Sequence, residues 1–315
     1  MLSAIKQAIK VHANVHRSDD GADVFLFSTP RSGSTWLMEL IWSQPGFKPV
    51  NEPLNLRNPY VRRHLGINRW QDLYTGGAEP ALEHYIRGFQ EWKHLFLNSS
   101  PLHRYYRSRT SRLVFKVIHG GEDRIPWFRD RFGGNIVLLV RHPIAVSLSR
   151  EIYPRLEAFL ESDYRRHFSG RQLRLARDVI KKGSRLEQGV LSWCLQNAVP
   201  LREATADWVV LTYEQMVLDP GPLLKRLGEK LELDDIDRMS AALSIPSLVK
   251  GKSDPETQRL LENYVSNRRK IVDKWCQHVD KSAERQAMTL LSEFDIDAYH
   301  YDDVLPSDRL WVNEL

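Results

Sequence analysis

Residues 23–45, reading DVFLFSTPRSGSTWLMELIWSQP, constrain the fold more than any other stretch of this chain. Residues 24–27 form an apolar run of the kind found in a strand buried on both faces, and residues 34–43 carry helical spacing that stops at Pro45-Gly46. The six residues between them are a polar turn. A strand, loop and helix joined in this way aims backbone N–H groups and the positive end of a helix dipole at one point, so a phosphate or sulfate can bind before any side chain contributes. The mononucleotide loop G-x-x-x-x-G-K-[ST] also needs a lysine for the outer phosphates and a hydroxyl for magnesium. Here Gly33 takes the second glycine, but Ser28 stands for the first and Ser34 for the lysine. That weakens a nucleotide-hydrolysing reading. Arg31 supplies the charge instead, with the hydroxyls of Ser32, Ser34 and Thr35 around it.

A second junction has the same form. Residues 135–140 (NIVLLV) are an uninterrupted branched run that leads into Arg141-His142-Pro143 and a helical pattern, with Pro143 suited to the first turn. Four strand-like runs, 24–27, 113–118, 136–140 and 208–212, alternate with helical patterns. The expected class is α/β, with a mainly parallel central sheet flanked by helices. Ligands gather at the carboxyl ends of strands in such sheets. Arg31, Lys116 with His119, Arg141, and Tyr213 with Glu214 all fall at or near strand ends and are expected to converge.

With 315 residues, 42% hydrophobic content, no repeats and no Pro/Gly/Ser-rich linker, residues 1–315 are expected to form one domain. No apolar run approaches the roughly 18 residues of a membrane span, and no signal peptide is evident. Residues 1–17 carry Ile5, Ile9 and Val15 on one side and read as a short amphipathic helix. Cys194 and Cys276 are too few for a disulfide framework, which points to the reducing cytoplasm. The 11 histidines are dispersed without zinc spacing; His12 and His16 lie at i, i+4 but lack an obvious third ligand. No metal requirement and no nucleic-acid partner are expected.

The segment TPRSGSTWL, residues 29–37, resembles the 5′-phosphosulfate loop of sulfotransferases that use 3′-phosphoadenosine 5′-phosphosulfate, in a form closer to the carbohydrate and bacterial branches than to the cytosolic phenol and steroid branch. The resemblance implies a P-loop-like sulfotransferase fold. Arg31 would contact the 5′-phosphate and bridging oxygen, Ser32, Gly33, Ser34 and Thr35 would wrap the phosphate, and Trp36 would stack on adenine. The family's 3′-phosphate motif is an arginine, a proline, and a serine eight residues after the arginine. Arg141 and Ser149 match it, with Ser147 a close rival. WVVLTYE (208–214) looks like the later family strand and brings in Tyr213, while Arg268 and Arg269 resemble a basic segment that closes over the 3′-phosphate. The glycine that follows that pair in the family is absent, Lys270 and Ile271 standing there. Residues 22–50 and 135–152 are thus the two donor motifs, and 51–111 and 153–190 are the acceptor-side or lid segments. The secretory carbohydrate enzymes of the family carry a membrane anchor; its absence here favours a bacterial-type enzyme.

The resemblance also supplies the chemistry, in-line transfer of a sulfuryl group from the donor to a hydroxyl or amine. Two residues compete as the general base. Glu52, in Asn51-Glu52-Pro53, matches a glutamate that is thought to act so in the carbohydrate and bacterial branches. His119, in FKVIH, is similar to the Lys-x-His of the cytosolic branch but has one extra residue, and a one-residue shift along a strand turns a side chain to the other face. Glu52 is preferred, with Lys116 placed to assist the leaving phosphate. Two other classes stay open: a P-loop nucleotide kinase, disfavoured by Ser34, and a non-catalytic glycan- or nucleotide-binding module, disfavoured by the presence of a base. The acceptor is the least constrained. Arg165, Arg166, Arg171, Arg174, Arg177, Lys181, Lys182 and Arg185 face one acid, Asp178, across residues 164–185. Such a run is commonly a solvated face. The sharper expectation is that it joins Arg57, Arg62, Arg63 and Arg69 to guide an anionic acceptor, such as an acidic glycan, a glycolipid or a carrier-bound chain, with Trp70, Tyr74, Trp92, Tyr105 and Tyr106 available to stack on sugars.

Overall fold

In each central strand, successive side chains enter different cores. Val24 and Leu26 pack with Val114, Val137, Leu139, Val209 and Leu211 against Leu37 and Ile41 of the first helix. Phe25 and Phe27 pack with Phe115, Val117, Ile136, Leu138 and Val140 against the opposite layer, which includes Trp193 and Cys194. A strand covered on both faces has no polar face, which is why these runs read as continuous rather than alternating. A computed structural model of the chain describes residues 15–18, 21–94, 101–150, 155–245, 259–260 and 263–312.

The sheet has five parallel strands: β1 (Val24–Ser28), β2 (Phe47–Asn51), β3 (Arg112–Val117), β4 (Asn135–Val140) and β5 (Val209–Thr212). Their spatial order is β2-β3-β1-β4-β5, so the strand before the Arg31 loop lies at the centre, flanked by β3 and β4. Phe25 stacks on Phe115 across the β1–β3 pair at 4.8 Å. The helices used below are α1 (Ser34–Trp42), α2 (Pro143–Leu148), α3 (Gly170–Lys182), α4 (Arg185–Glu203), α5 (Tyr213–Leu218), α6 (Tyr264–Asp273) and α7 (Lys281–Glu293).

Two expectations need correction. The sequence reading has four strands, and β2 is the fifth. Its FKPVN contains a lysine and a proline, which argue against a central strand but are tolerated at a sheet edge, and β2 is an edge strand. Lys48 is nearly fully buried there, its ammonium 3.3 Å from the centroid of the Trp92 ring. Glu52 therefore follows a strand rather than the helix after the loop. At the N-terminus, Val15–His16 pairs with Arg109–Thr110 as a short parallel bridge, not as the end of a helix. Residues 1–14, with Ile5, Ile9 and His12, lie outside the described residues. Among the described residues no helix is long and apolar enough to cross a membrane.

Candidate active site

The Arg31 loop closes through left-handed backbone at two positions. Arg31 has φ 75° and Gly33, the N-cap of α1, has φ 90°. At Gly33 the need for glycine is steric as well, because a Cβ there would lie 2.6 Å from Cδ2 of Tyr213. Thr29 and Ser32 hydroxyls sit 2.5 Å apart and both side chains are buried, so they brace the loop. Ser34 is buried, while Gly33, Thr35 and Trp36 keep partial exposure at the start of α1. Trp36 meets Tyr213 edge-on, with ring centroids 6.1 Å apart.

Arg141 joins the fourth strand to this loop. Its Nη1 donates to the Arg31 carbonyl at 3.0 Å, and its guanidinium lies 4.2 Å from the centroid of the Tyr213 ring. Its own carbonyl accepts from the indole N–H of Trp193 at 2.9 Å. The next residue is held as firmly. His142 N–H donates to the buried Glu214 carboxyl at 3.0 Å, whose other oxygen accepts from Tyr299 at 2.7 Å, and the His142 ring stacks on Trp275 at 4.3 Å. Burial pushes the Glu214 carboxyl up and the His142 imidazole down to about 3, so the ring is neutral. Of the two serines on α2, Ser147 is buried and donates to the Pro143 carbonyl at 2.7 Å. Ser149 is exposed, its hydroxyl on the Val146 carbonyl at 3.0 Å. Only Ser149 keeps an accessible side chain.

On the other side of the loop, Lys116 reaches across from β3. Its ammonium donates to the Thr35 hydroxyl at 2.8 Å and to Oε1 of Glu52 at 3.0 Å, and its side chain is only 3% exposed. Oε2 of Glu52 accepts from Asn55 at 2.9 Å and lies 3.5 Å from Nε2 of His119. Burial by itself would raise the Glu52 carboxyl, but the His119 hydrogen bond and the Lys116 charge outweigh it and hold the group well below the ordinary carboxylate range. Burial pulls the His119 imidazole down, opposed by Glu52. The ionised carboxylate is the better-supported end of this cluster, since three donors converge on it. Glu52 also has left-handed backbone, φ 55°, a strained state of the sort that concentrates at functional sites.

The extra residue between Lys116 and His119 does not separate them. The strand ends at Val117, so the alternation of faces along it no longer governs His119, whose Nε2 lies 3.5 Å from the Glu52 carboxylate. Behind it stands a buried group that sequence reasoning missed. Arg155 donates to Glu122, to the Tyr74 hydroxyl at 2.7 Å and to the Ile118 carbonyl at 3.3 Å, and Tyr74 donates to Glu122 at 2.8 Å. The sequence held no signal for it, because its members lie up to 81 positions apart. Thr35 as the partner of Lys116 escaped notice for the same reason.

Other expected residues are occupied elsewhere. Arg268 donates to the Leu218 carbonyl at 3.4 Å, at the far end of α5 from Tyr213, and Arg269 is exposed and pairs with Asp273 at 3.5 Å. Neither bond brings them to Arg31 or Arg141. Tyr74 belongs to the buried Arg155 group and Trp92 lies under Lys48, so neither is a free sugar platform; Trp70 does stand beside His119 at 5.8 Å. Arg62 donates to the Leu56 carbonyl and Arg69 pairs with Asp72. The run 165–185 is exposed at every basic position. Its two ends differ: Arg171 is paired with Glu293, whereas Arg185 lies one turn before Gly189, where a Cβ would meet Ser147 at 2.6 Å. Among the described residues no group of three or more His, Cys, Asp or Glu could hold a metal.

No family model and no curated protein matches the chain. Solved structures similar to it include the sulfotransferase domain of the Synechococcus PCC 7002 olefin synthase, at 20% identity over 91% of this chain and 98% of that one, TM-score 0.46. Mouse sulfotransferase SULT7A1 complexed with PAP is 16% identical over 93% and 89%, TM-score 0.43, and the sulfotransferase domain from the curacin biosynthetic pathway is 17% identical over 89% and 99%, TM-score 0.41. All three are sulfotransferases.

Proposed function

We propose that the chain transfers a sulfuryl group from 3′-phosphoadenosine 5′-phosphosulfate to a hydroxyl of an acceptor. The observation that carries this reading is the union of two strand ends: Arg141 clamps the Arg31 carbonyl while Tyr213 closes on Gly33, which makes a cationic cradle with an exposed serine, Ser149, beside it. The fit to the donor is chemical. Arg31 and the backbone N–H groups of the loop suit the 5′-phosphate, Arg141 and Ser149 suit a 3′-phosphate, and Trp36, half-buried at the loop's edge, offers an aromatic face for adenine. In the transfer, the acceptor oxygen bonds to sulfur, and the sulfur–oxygen bond to the 5′-phosphate breaks with its electron pair left on the phosphate. The acceptor's proton passes to Glu52. Lys116 and Arg31 stand where negative charge grows, and fixed cations there lower the barrier without reorganising. The donor should need no metal.

For the acceptor we favour an anionic glycan, a glycolipid or a carrier-bound chain. The support is the exposed basic run, whose last member, Arg185, lies one helical turn before Gly189, the residue that packs on Ser147. A cytoplasmic setting is favoured by the two free cysteines. Calorimetry tests the donor: adenosine 3′,5′-bisphosphate should bind without magnesium, and ATP with magnesium should bind far more weakly. The opposite ranking would return the chain to the kinase reading. Radiolabelled sulfate transfer onto an acceptor panel then separates an enzyme from a binding module.

A further inference from the structure

Both oxygens of the Glu52 carboxylate are engaged by donors: Lys116 on Oε1, and Asn55 with His119 on Oε2. A carboxylate so held is a poor proton acceptor, because each donor stabilises the ionised form. One of the three differs in its connections. The Lys116 ammonium also touches Thr35 at 2.8 Å, in the first turn of α1 where the Arg31 loop enters the helix. An anion arriving in that turn meets this ammonium directly.

We propose that Lys116 is a positioning residue that links donor occupancy to the state of the base. When a sulfated nucleotide fills the loop, its negative oxygens compete with Glu52 for the single Lys116 charge, the ammonium moves toward the transferring group, and Oε1 is released to take the acceptor's proton. The same movement brings a cation to the breaking sulfur–oxygen bond. The base is thus kept occupied until the donor is in place. This deepens the function proposed above and rests on it. The geometry also explains why Lys116 is buried on a strand face with two partners of opposite role.

Competition for one ammonium has a thermodynamic signature, since the coupling between two ligands of one group is reciprocal. Removing the Glu52 charge should hand Lys116 to the donor. In calorimetry with 3′-phosphoadenosine 5′-phosphosulfate and no acceptor, Glu52→Gln should bind the donor at least about threefold more tightly than the wild type, a coupling of the size that contacting residues show. Lys116→Met should bind it more weakly. In the Lys116→Met background, Glu52→Gln should change the affinity less than about twofold. Lys116→Gln replaces Met in this cycle should the apolar variant fail to fold. Tightening that persists without Lys116 would mean simple repulsion between Glu52 and the anion, and no tightening at all would mean a static ion pair; either overturns the proposal. A wild type that binds neither the donor nor adenosine 3′,5′-bisphosphate would instead overturn the donor assignment, and the proposal with it.

Discussion

The strand-end cradle and the basic helix α3 are both cationic, yet they are built in opposite ways. Around Arg31 and Arg141 the chain is cross-linked from distant segments: Arg141 donates to the Arg31 carbonyl and accepts from Trp193, and the N–H of His142 reaches Glu214, which Tyr299 also holds. Along α3 the basic side chains are exposed, and Arg171 is tied to Glu293. The first arrangement fixes an anion at a defined point, because its charges are preorganised and partly desolvated. The second can only raise the local concentration of an anion, since exposed charges are screened within about 8 Å at physiological salt. One region is therefore suited to a particular ligand, and the other to a class of ligands.

The largest effect should arise at Glu52, which Lys116 ties to the start of α1. Glu52→Gln is expected to lower transfer about 10²–10⁴-fold without weakening donor binding, measured as initial rates beside calorimetry. His119→Ala should cost less, because the imidazole donates toward the carboxylate rather than facing the loop. A dead histidine variant beside an active glutamine variant would exchange their roles.

The cradle itself is tested next. Charge-assisted bonds to a fixed anion contribute about 1.5–3 kcal/mol each, so Arg31→Ala and Arg141→Ala should each weaken adenosine 3′,5′-bisphosphate binding by at least about tenfold. Equal, small losses at both would mean that the cradle is no more specific than α3, and the contrast would fail.

Preorganisation also predicts an acid weakness. His142 is fully buried with its pKa at about 3, against 6.5 in the unfolded chain. The unfolded state takes up a proton first as pH falls, so this depressed pKa gives stability above pH 6.5 that is lost progressively down to pH 3. The loss should approach about 1.4 kcal/mol per pH unit within that window. His142→Gln should flatten that part of the profile in denaturant titrations at several pH values. Separately, Gly33→Ala should destabilise by about 1–3 kcal/mol, through left-handed backbone and the Tyr213 ring, and Tyr213→Ala should recover part of it.

The smallest effects belong to α3. Charge reversal at Lys181, Lys182 and Arg185 should raise the acceptor KM by about two- to fivefold at low salt, with little change near physiological salt and none in donor KM, as exposed charges act mainly through steering. Reversal at Arg171 and Arg174, about 10–17 Å from Lys181 and Lys182 along α3 at 1.5 Å per residue, should do less. An equal response at both ends, or none at low salt, would remove the steering role.

Much of the donor side could be read directly from the chain. The loop, the Arg141 turn and the parallel class all follow from contiguous segments in which apolar run, turn and helix occur in a fixed order. Ser149 was preferred from its spacing after Arg141, but that its rival Ser147 is buried could not be read, because Gly189 packs against Ser147 from 42 positions away. β2 was hidden by Lys48 and Pro49, which only an edge position and the Trp92 ring make tolerable. The offset of His119 was read as a change of face, whereas the strand ends at Val117 and the alternation no longer applies at His119.

What the sequence determined by itself was therefore local: which segments are strands buried on both faces, where each stops, and which charged residue stands at the stop. These are set by side-chain period and by backbone preference, and both act within a few residues. What only the tertiary structure decided is which of those charges meet. The order β2-β3-β1-β4-β5 sets β3 and β4 on either side of β1, so that Lys116 reaches Thr35 and Arg141 reaches Arg31. A hydrogen bond or ion pair acts over about 3 Å and is indifferent to separation along the chain. Only the packing of the sheet could bring those partners within its range.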